Sequence, residues 1–200
     1  MGNALHEQGK LEEAIESYIK ALAIEPSNAN FYTNMGITLP KVVFRKPNPA
    51  VQEIIVKMLD LKTYVRPKDI FHAANSLLKF EPLFLQAFTL HSQNEVMKSL
   101  QKVISNLSEL PLLLKLMSVC PLADLALESI LKEIRADVLF SISDLGDYPE
   151  VLRLQSALSL QCFTNEYVYN QKDRETEALN KLEDVVNDSL LKGQQPSPQS

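Results

Sequence analysis

Two hundred residues are enough for one sizeable core or two small ones, and a hydrophobic content of 46 % is too high for general disorder. The 20 basic and 25 acidic residues leave a formal net charge of −5 with no basic patch, which argues against nucleic-acid binding. Five glycines, no tryptophan and abundant Leu, Ala, Glu, Lys and Gln favour helix.

The chain opens on a repeat. Gly2 and Gly36 are 34 residues apart, as are Leu5 and Leu39, and Met1-Gly2 recurs as Met35-Gly36. Reading on from Gly2, the pattern places Gly9, Ala14, Tyr18, Ala21, Leu22 and Pro26. Gly2 and Ala14 are small enough for two antiparallel helices to approach closely, and Gly9 allows the tight turn between them. Tyr18 and Ala21 face partner helices, and Pro26 closes the second helix. Tyr32 then opens the next first helix. This spacing is similar to the tetratricopeptide repeat, a helical hairpin with a 34-residue period. The pattern starts inside a first helix and stops at Pro40, so residues 1–39 read as one and a half repeats. So few repeats need neighbours to stack on, either the rest of this chain or a longer array.

Residues 40–49 read as an extended, proline-rich connector, because Pro40, Pro47 and Pro49 discourage helix. Val42, Val43 and Phe44 are expected to line it against the helices. From Ala50 to 192 the signal is helical. Val51, Ile54, Ile55, Met58 and Leu59 make one apolar stripe. Pro67-Lys68-Asp69 starts a helix whose face is Ile70, Ala73, Ala74, Leu77 and Leu78, and Pro82 is expected to end it. Phe84 to Leu90 is a short apolar helix. Val96, Leu100, Val103, Ile104 and Leu107 form the next stripe. Pro111 and Pro121 are expected to begin apolar helices. Leu122 to Leu145 reads as the longest helix, broken by Gly146-Asp147. Pro149 starts a helix expected to reach Tyr169. A polar helix follows from about Arg174 to Lys192, with Ala178, Leu182, Val185 and Val186 inward. Residues 193–200 read as a loose polar tail. The expected class is all-α: truncated helical-repeat hairpins followed by an irregular helical bundle.

The bundle carries its own likeness. Phe44-Arg45-Lys46-Pro47-Asn48-Pro49, Tyr64-Val65-Arg66-Pro67, Val119-Cys120-Pro121 with Asp124, and the run from Gln161 to Tyr169 together resemble a region of bacterial proteins. Those proteins join tetratricopeptide repeats to a C-terminal class I S-adenosylmethionine-dependent methyltransferase domain. The resemblance implies adjacent repeats and a downstream catalytic domain as partners. A class I methyltransferase needs a strand, a glycine-rich turn and a helix to hold its cofactor. The five glycines here are scattered singly, so no cofactor and no catalytic residue is expected on this chain.

Other constellations are bland. His6, His72 and His91 do not pair with one another or with cysteine at metal-ligand spacing. His6 and His72 read as ordinary surface or satisfied residues. Glu12-Glu13 and Glu183-Asp184 are adjacent pairs that point about 100° apart on a helix, hence solvated faces. Asn165 and Glu166 interrupt an apolar run and read as helix-to-loop hydrogen bonding. Cys120 and Cys162 make neither a disulfide framework nor a zinc site and are expected to be reduced and buried, as in a cytoplasm. Met1 to Glu7 has no signal-peptide form, and the apolar run Leu110 to Met117 contains Lys115 and is too short to span a bilayer, so no membrane is expected.

The best candidate site lies on the repeat. In tetratricopeptide proteins the first helix of each repeat lines a concave groove, which implies Asn3, His6 and Glu7 from the first repeat and Asn30, Thr33, Asn34 and Ile37 from the second. Asn34 is similar to the asparagine that holds an extended peptide backbone in O-linked N-acetylglucosamine transferase. An amide both donates and accepts, which suits sequence-tolerant backbone binding. The expectation is a non-catalytic adaptor that binds a protein or peptide in this groove and positions a downstream catalytic domain. The alternative is part of a methyltransferase that contributes to substrate recognition, and a third reading is an idle, decayed gene product.

Overall fold

The computed structural model describes residues 1–61, 64–91, 96–165 and 171–193. Its elements are helical throughout, with no strand among the described residues. Helices α1 (Gly2–Glu7) and α2 (Leu11–Ile24) form a hairpin, and α3 (Ala29–Thr38) runs into a 3-10 turn at Leu39–Lys41. Then follow α4 (Pro49–Leu61), α5 (Pro67–Leu78), α6 (Pro82–His91), α7 (Val96–Ser108) and α8 (Pro111–Val119). The chain continues through α9 (Leu125–Phe140), α10 (Ile142–Leu145), α11 (Pro149–Thr164) and α12 (Asp173–Leu191).

Local chemistry sets the boundaries. Gly9, between α1 and α2, sits at φ +75°, a region that suits glycine. Asn28 caps α3, its side chain accepting from Asn30 N–H. Proline occupies the first turn of α5, α8 and α11, where its missing N–H is no loss. Asp124 caps α9 by accepting from the N–H groups of Ala126 and Leu127.

Helix α5 is the centre. It buries Ile70, Phe71, Ala73, Ala74, Leu77 and Leu78, and also Asn75 and Ser76. Each large apolar side chain removed from water there contributes roughly 1.5–3 kcal/mol. The 3-10 turn, α4 and α8 pack around α5, α11 packs on α7 and α8, and α12 packs on α9. The repeat and the bundle share one apolar core, which runs from Ala14 to Leu158. The seam between them is specific. Tyr32 of α3 stacks on Tyr64 at 5.1 Å, and the Lys57 ammonium of α4 lies 5.7 Å from the Tyr32 ring. The N–H of Phe44 donates to Ser76 Oγ at 2.9 Å.

Several expectations are corrected. Val42 and Phe44 are buried, but Val43 is 64 % exposed, because an extended segment alternates its side chains. Pro82 opens α6 rather than ending α5, which stops at Leu78. Pro121 precedes a non-helical stretch, and α9 begins only at Leu125, where Asp124 can cap it. The stretch Leu122 to Leu145 is split at Ser141, and α12, with 19 residues, is the longest described helix. Helix α11 ends at Thr164, so it does not run to Tyr169; residues 166–170 lie outside the described residues. The polar tail from 194 onward and the side chain of Val96 lie outside them too, as does the side chain of His91. Cys120 is buried, but Cys162 is only half-buried; both thiols are free. Ala178, Leu182, Val185 and Val186 of α12 are half-buried, since this helix rests mainly on α9.

Candidate partner-binding face

The face on α1 and α3 is assembled by close helix approach. A β-carbon on Gly2 would lie 2.4 Å from Tyr18 Cε1, so only glycine lets α1 settle on the α2 ring. The Tyr18 hydroxyl then donates to Asn3 Oδ1 at 2.9 Å. Burial pushes the Tyr18 phenol up, a shift that hydrogen bonding with Thr38 opposes and the Glu7 carboxylate reinforces. Tyr32, buried in α3, donates to the Pro26 carbonyl at 2.9 Å and fixes the turn between α2 and α3.

His6 joins the two helices. Its Nδ1 lies 2.8 Å from Thr38 Oγ1, and its Nε2 lies 3.2 Å from Lys41 Nζ. Asn3 and Glu7 flank it, both exposed. On α3, Ile37 is 55 % exposed and Asn34 is half-buried. The Asn34 carbonyl accepts from the Thr38 hydroxyl at 2.8 Å, while its side-chain amide has no hydrogen-bond partner among the described residues. Asn30 and Thr33 are exposed, and the Thr33 hydroxyl is turned back to the Ala29 carbonyl at 2.9 Å.

Of the seven candidate residues, His6 is the one tied across the helix pair, through Thr38. Asn30 and Thr33 sit about 12 and 8 Å along α3 from Thr38, because a helix rises about 1.5 Å per residue. His6 is a bridging residue, half-buried and bonded at both ring nitrogens, rather than a freely solvated one.

Lys41 belongs to the same face and was missed from sequence. It lies 34 residues after Glu7, in the same repeat register, one residue beyond Pro40, where the repeat pattern stops. With Gly9, Lys10, Leu11, Val42 and Val43 it borders a hollow of about 300 Å³ at the turn between α1 and α2.

Glu12, Glu13, Glu183 and Asp184 are exposed. His72 is exposed, its ring edge-on to Phe71 at 5.8 Å. Asn165 follows the last turn of α11 and accepts from Gln161 Nε2 at 2.8 Å. Among the described residues no group of three or more His, Cys, Asp or Glu could hold a metal ion, and no helix is long and apolar enough to cross a membrane.

Comparison with known proteins places one stretch. A sequence model described as TPR repeat, the tetratricopeptide repeat, matches residues 2–41. That span is α1, α2, α3 and the 3-10 turn, and it includes Lys41. No curated protein and no solved structure matches the chain significantly.

Proposed function

We propose that the chain is a non-catalytic protein-interaction module in which the α1–α3 face binds an extended peptide. The observation that carries this is the half-buried Asn34 amide, without a hydrogen-bond partner and one helical turn from exposed Ile37 on α3. An amide can pair with a backbone N–H and C=O at once, and Ile37 supplies apolar area beside it. The match of residues 2–41 to the TPR repeat, a family that generally mediates protein–protein contact, supports the same reading.

The bundle then acts as a rigid adaptor for a partner catalytic domain. Support for this comes from the seam. Tyr32 on Tyr64, and Phe44 bonded to Ser76, fix the groove relative to the bundle, so an occupant would be presented at a set distance from anything the bundle holds. The two free thiols suit a reducing compartment such as a cytoplasm.

Selection of a displayed random-peptide library on the purified chain tests the groove. Selected peptides are expected to bind Asn34→Ala about three- to tenfold more weakly by fluorescence anisotropy, the worth of one hydrogen bond. Equal affinity for the variant, or no selectable peptide, would contradict the reading. Titration calorimetry with S-adenosylmethionine tests the non-catalytic part, and measurable binding would remove it.

A further inference from the structure

A second concavity lies far from the repeat, between α9, α11 and α12. It has a volume of about 490 Å³, within the range of small-molecule sites. Its walls are Val138 and Leu139 of α9, Ile142 of α10, Leu158 of α11, and Leu179 and Leu182 of α12. At one end Arg135 Nη2 pairs with Glu175 Oε1 at 2.5 Å, and Arg135 Nη1 lies 3.9 Å from Cys162 Sγ. Gln155, Ser159 and Gln171 complete the polar lining.

The charges in this hollow cancel. Glu175 is 2 % exposed and committed both to Arg135 and to the N–H of Lys172, 2.9 Å away. The lining that remains can hydrogen-bond but carries no net charge. An ionised headgroup entering there would lose its hydration with no counter-charge to meet it, which is costly. An apolar body meets six aliphatic side chains.

We infer that the α9–α11–α12 hollow is a binding site for an uncharged, elongated amphipathic small molecule, its hydroxyl or amide head toward Gln155, Ser159 or Gln171 and its chain along the leucines. This site is separate from the peptide groove and does not depend on it.

Cys162 reports occupancy. It lines the hollow and is half-buried, whereas Cys120 is 3 % exposed and its thiol is pushed up to about 11 by burial. The full chain is labelled with a disulfide reagent such as DTNB, and the Cys162 and Cys120 peptides are quantified by mass spectrometry. With 1-decanol or decanamide, labelling of Cys162 should fall saturably, by about tenfold when the probe is at about ten times its Kd. Decanoate should protect far less. The same probes should lose their effect in Ser159→Trp, which fills the hollow from its exposed edge, with Leu158→Phe as a second filling variant. Absence of protection, equal protection by decanoate, or protection retained in both filling variants would overturn the proposal. So would protection given only by an amphipathic helical peptide, which would mark the hollow as a protein-docking groove.

Discussion

His6 Nδ1 and Thr38 Oγ1 stand 2.8 Å apart across 32 residues of chain, and the direction of their hydrogen bond is fixed by a third group. The Lys41 ammonium can only donate to His6 Nε2, and the Thr38 hydroxyl lies 2.8 Å from the Asn34 carbonyl it donates to, so Thr38 Oγ1 accepts from His6 Nδ1. In the neutral imidazole this puts the proton on Nδ1 and leaves Nε2 to accept from Lys41 at 3.2 Å. Nitrogen-15 spectra of neutral His6 should show the Nδ1–H tautomer, and Thr38→Val should shift it toward Nε2–H. An Nε2–H tautomer in the unaltered protein would refute this link.

Gly36 is the point where α3 packs against the bundle. A β-carbon there would lie 2.6 Å from Val65 Cγ1 and 2.8 Å from the Tyr64 carbonyl oxygen. Gly36→Ala gains about 1 kcal/mol in helix propensity but forces overpacking worth about 1–3 kcal/mol. The urea midpoint should fall, and Val65→Ala in the same chain should recover only part of it, because the Tyr64 carbonyl stays. A raised midpoint would show that the Tyr64–Val65 segment yields freely.

Asp124 ties α5 to α9. Its Oδ2 lies 2.8 Å from both Lys79 Nζ and Asn75 Nδ2, and its Oδ1 caps α9. The Lys79 hydrogen bond leads in lowering its pKa to about 2, against the burial that raises it. A carboxylate depressed in the folded state adds stability above its unfolded pKa, and that stability is lost as pH falls through the folded value. The window is therefore between about pH 4 and pH 2, and the contribution is on the order of 2 kcal/mol. Asp124→Asn should destabilise the chain by about that amount at pH 7, with the gap to the unaltered protein closing near pH 2. A gap independent of pH would contradict the assignment.

Helix α12 is held by a buried pair. Burial pushes the Glu175 carboxyl up, but the N–H of Lys172 and the Arg135 guanidinium outweigh it and the net shift is downward. Removing one partner of such a pair costs about 3–5 kcal/mol, whereas replacing both by apolar groups is often neutral. Glu175→Leu should speed amide exchange through residues 173–191, and adding Arg135→Leu should restore most of the protection. Unchanged exchange in the single variant would mean that α12 is held by its apolar contacts with α9 alone.

The all-α class and the opening hairpin were legible from sequence because their signals are local. Gly2 and Gly9 occur where a helix approach and a positive φ demand glycine. Proline was the ambiguous sign. It ends some helices and begins others: Pro82 opens α6 where it is expected to close α5, and Pro121 precedes a non-helical stretch where it is expected to open a helix, while the N-cap chemistry of Asp124 marks the start of α9. The break at Ser141 was hidden because Ile142 continues the helical spacing from Val138. On the α1–α3 face, the resemblance to the tetratricopeptide repeat implies His6 and Asn34, and the 34-residue period carried past Pro40 takes Glu7 to Lys41. The half-exposure of Cys162 follows from the hollow left where α12 covers α9 incompletely, a tertiary fact with no local signature.

The proposed peptide-binding face is tested most directly by two exposed isoleucines on different helices. Ile37 lies on α3 beside Asn34, and Ile24, 82 % exposed, ends α2. With library-selected peptides and fluorescence anisotropy, Ile37→Asp should abolish binding while Ile24→Asp leaves the Kd unchanged. Full affinity in Ile37→Asp, or an equal loss in Ile24→Asp, would contradict a groove formed by α1 and α3.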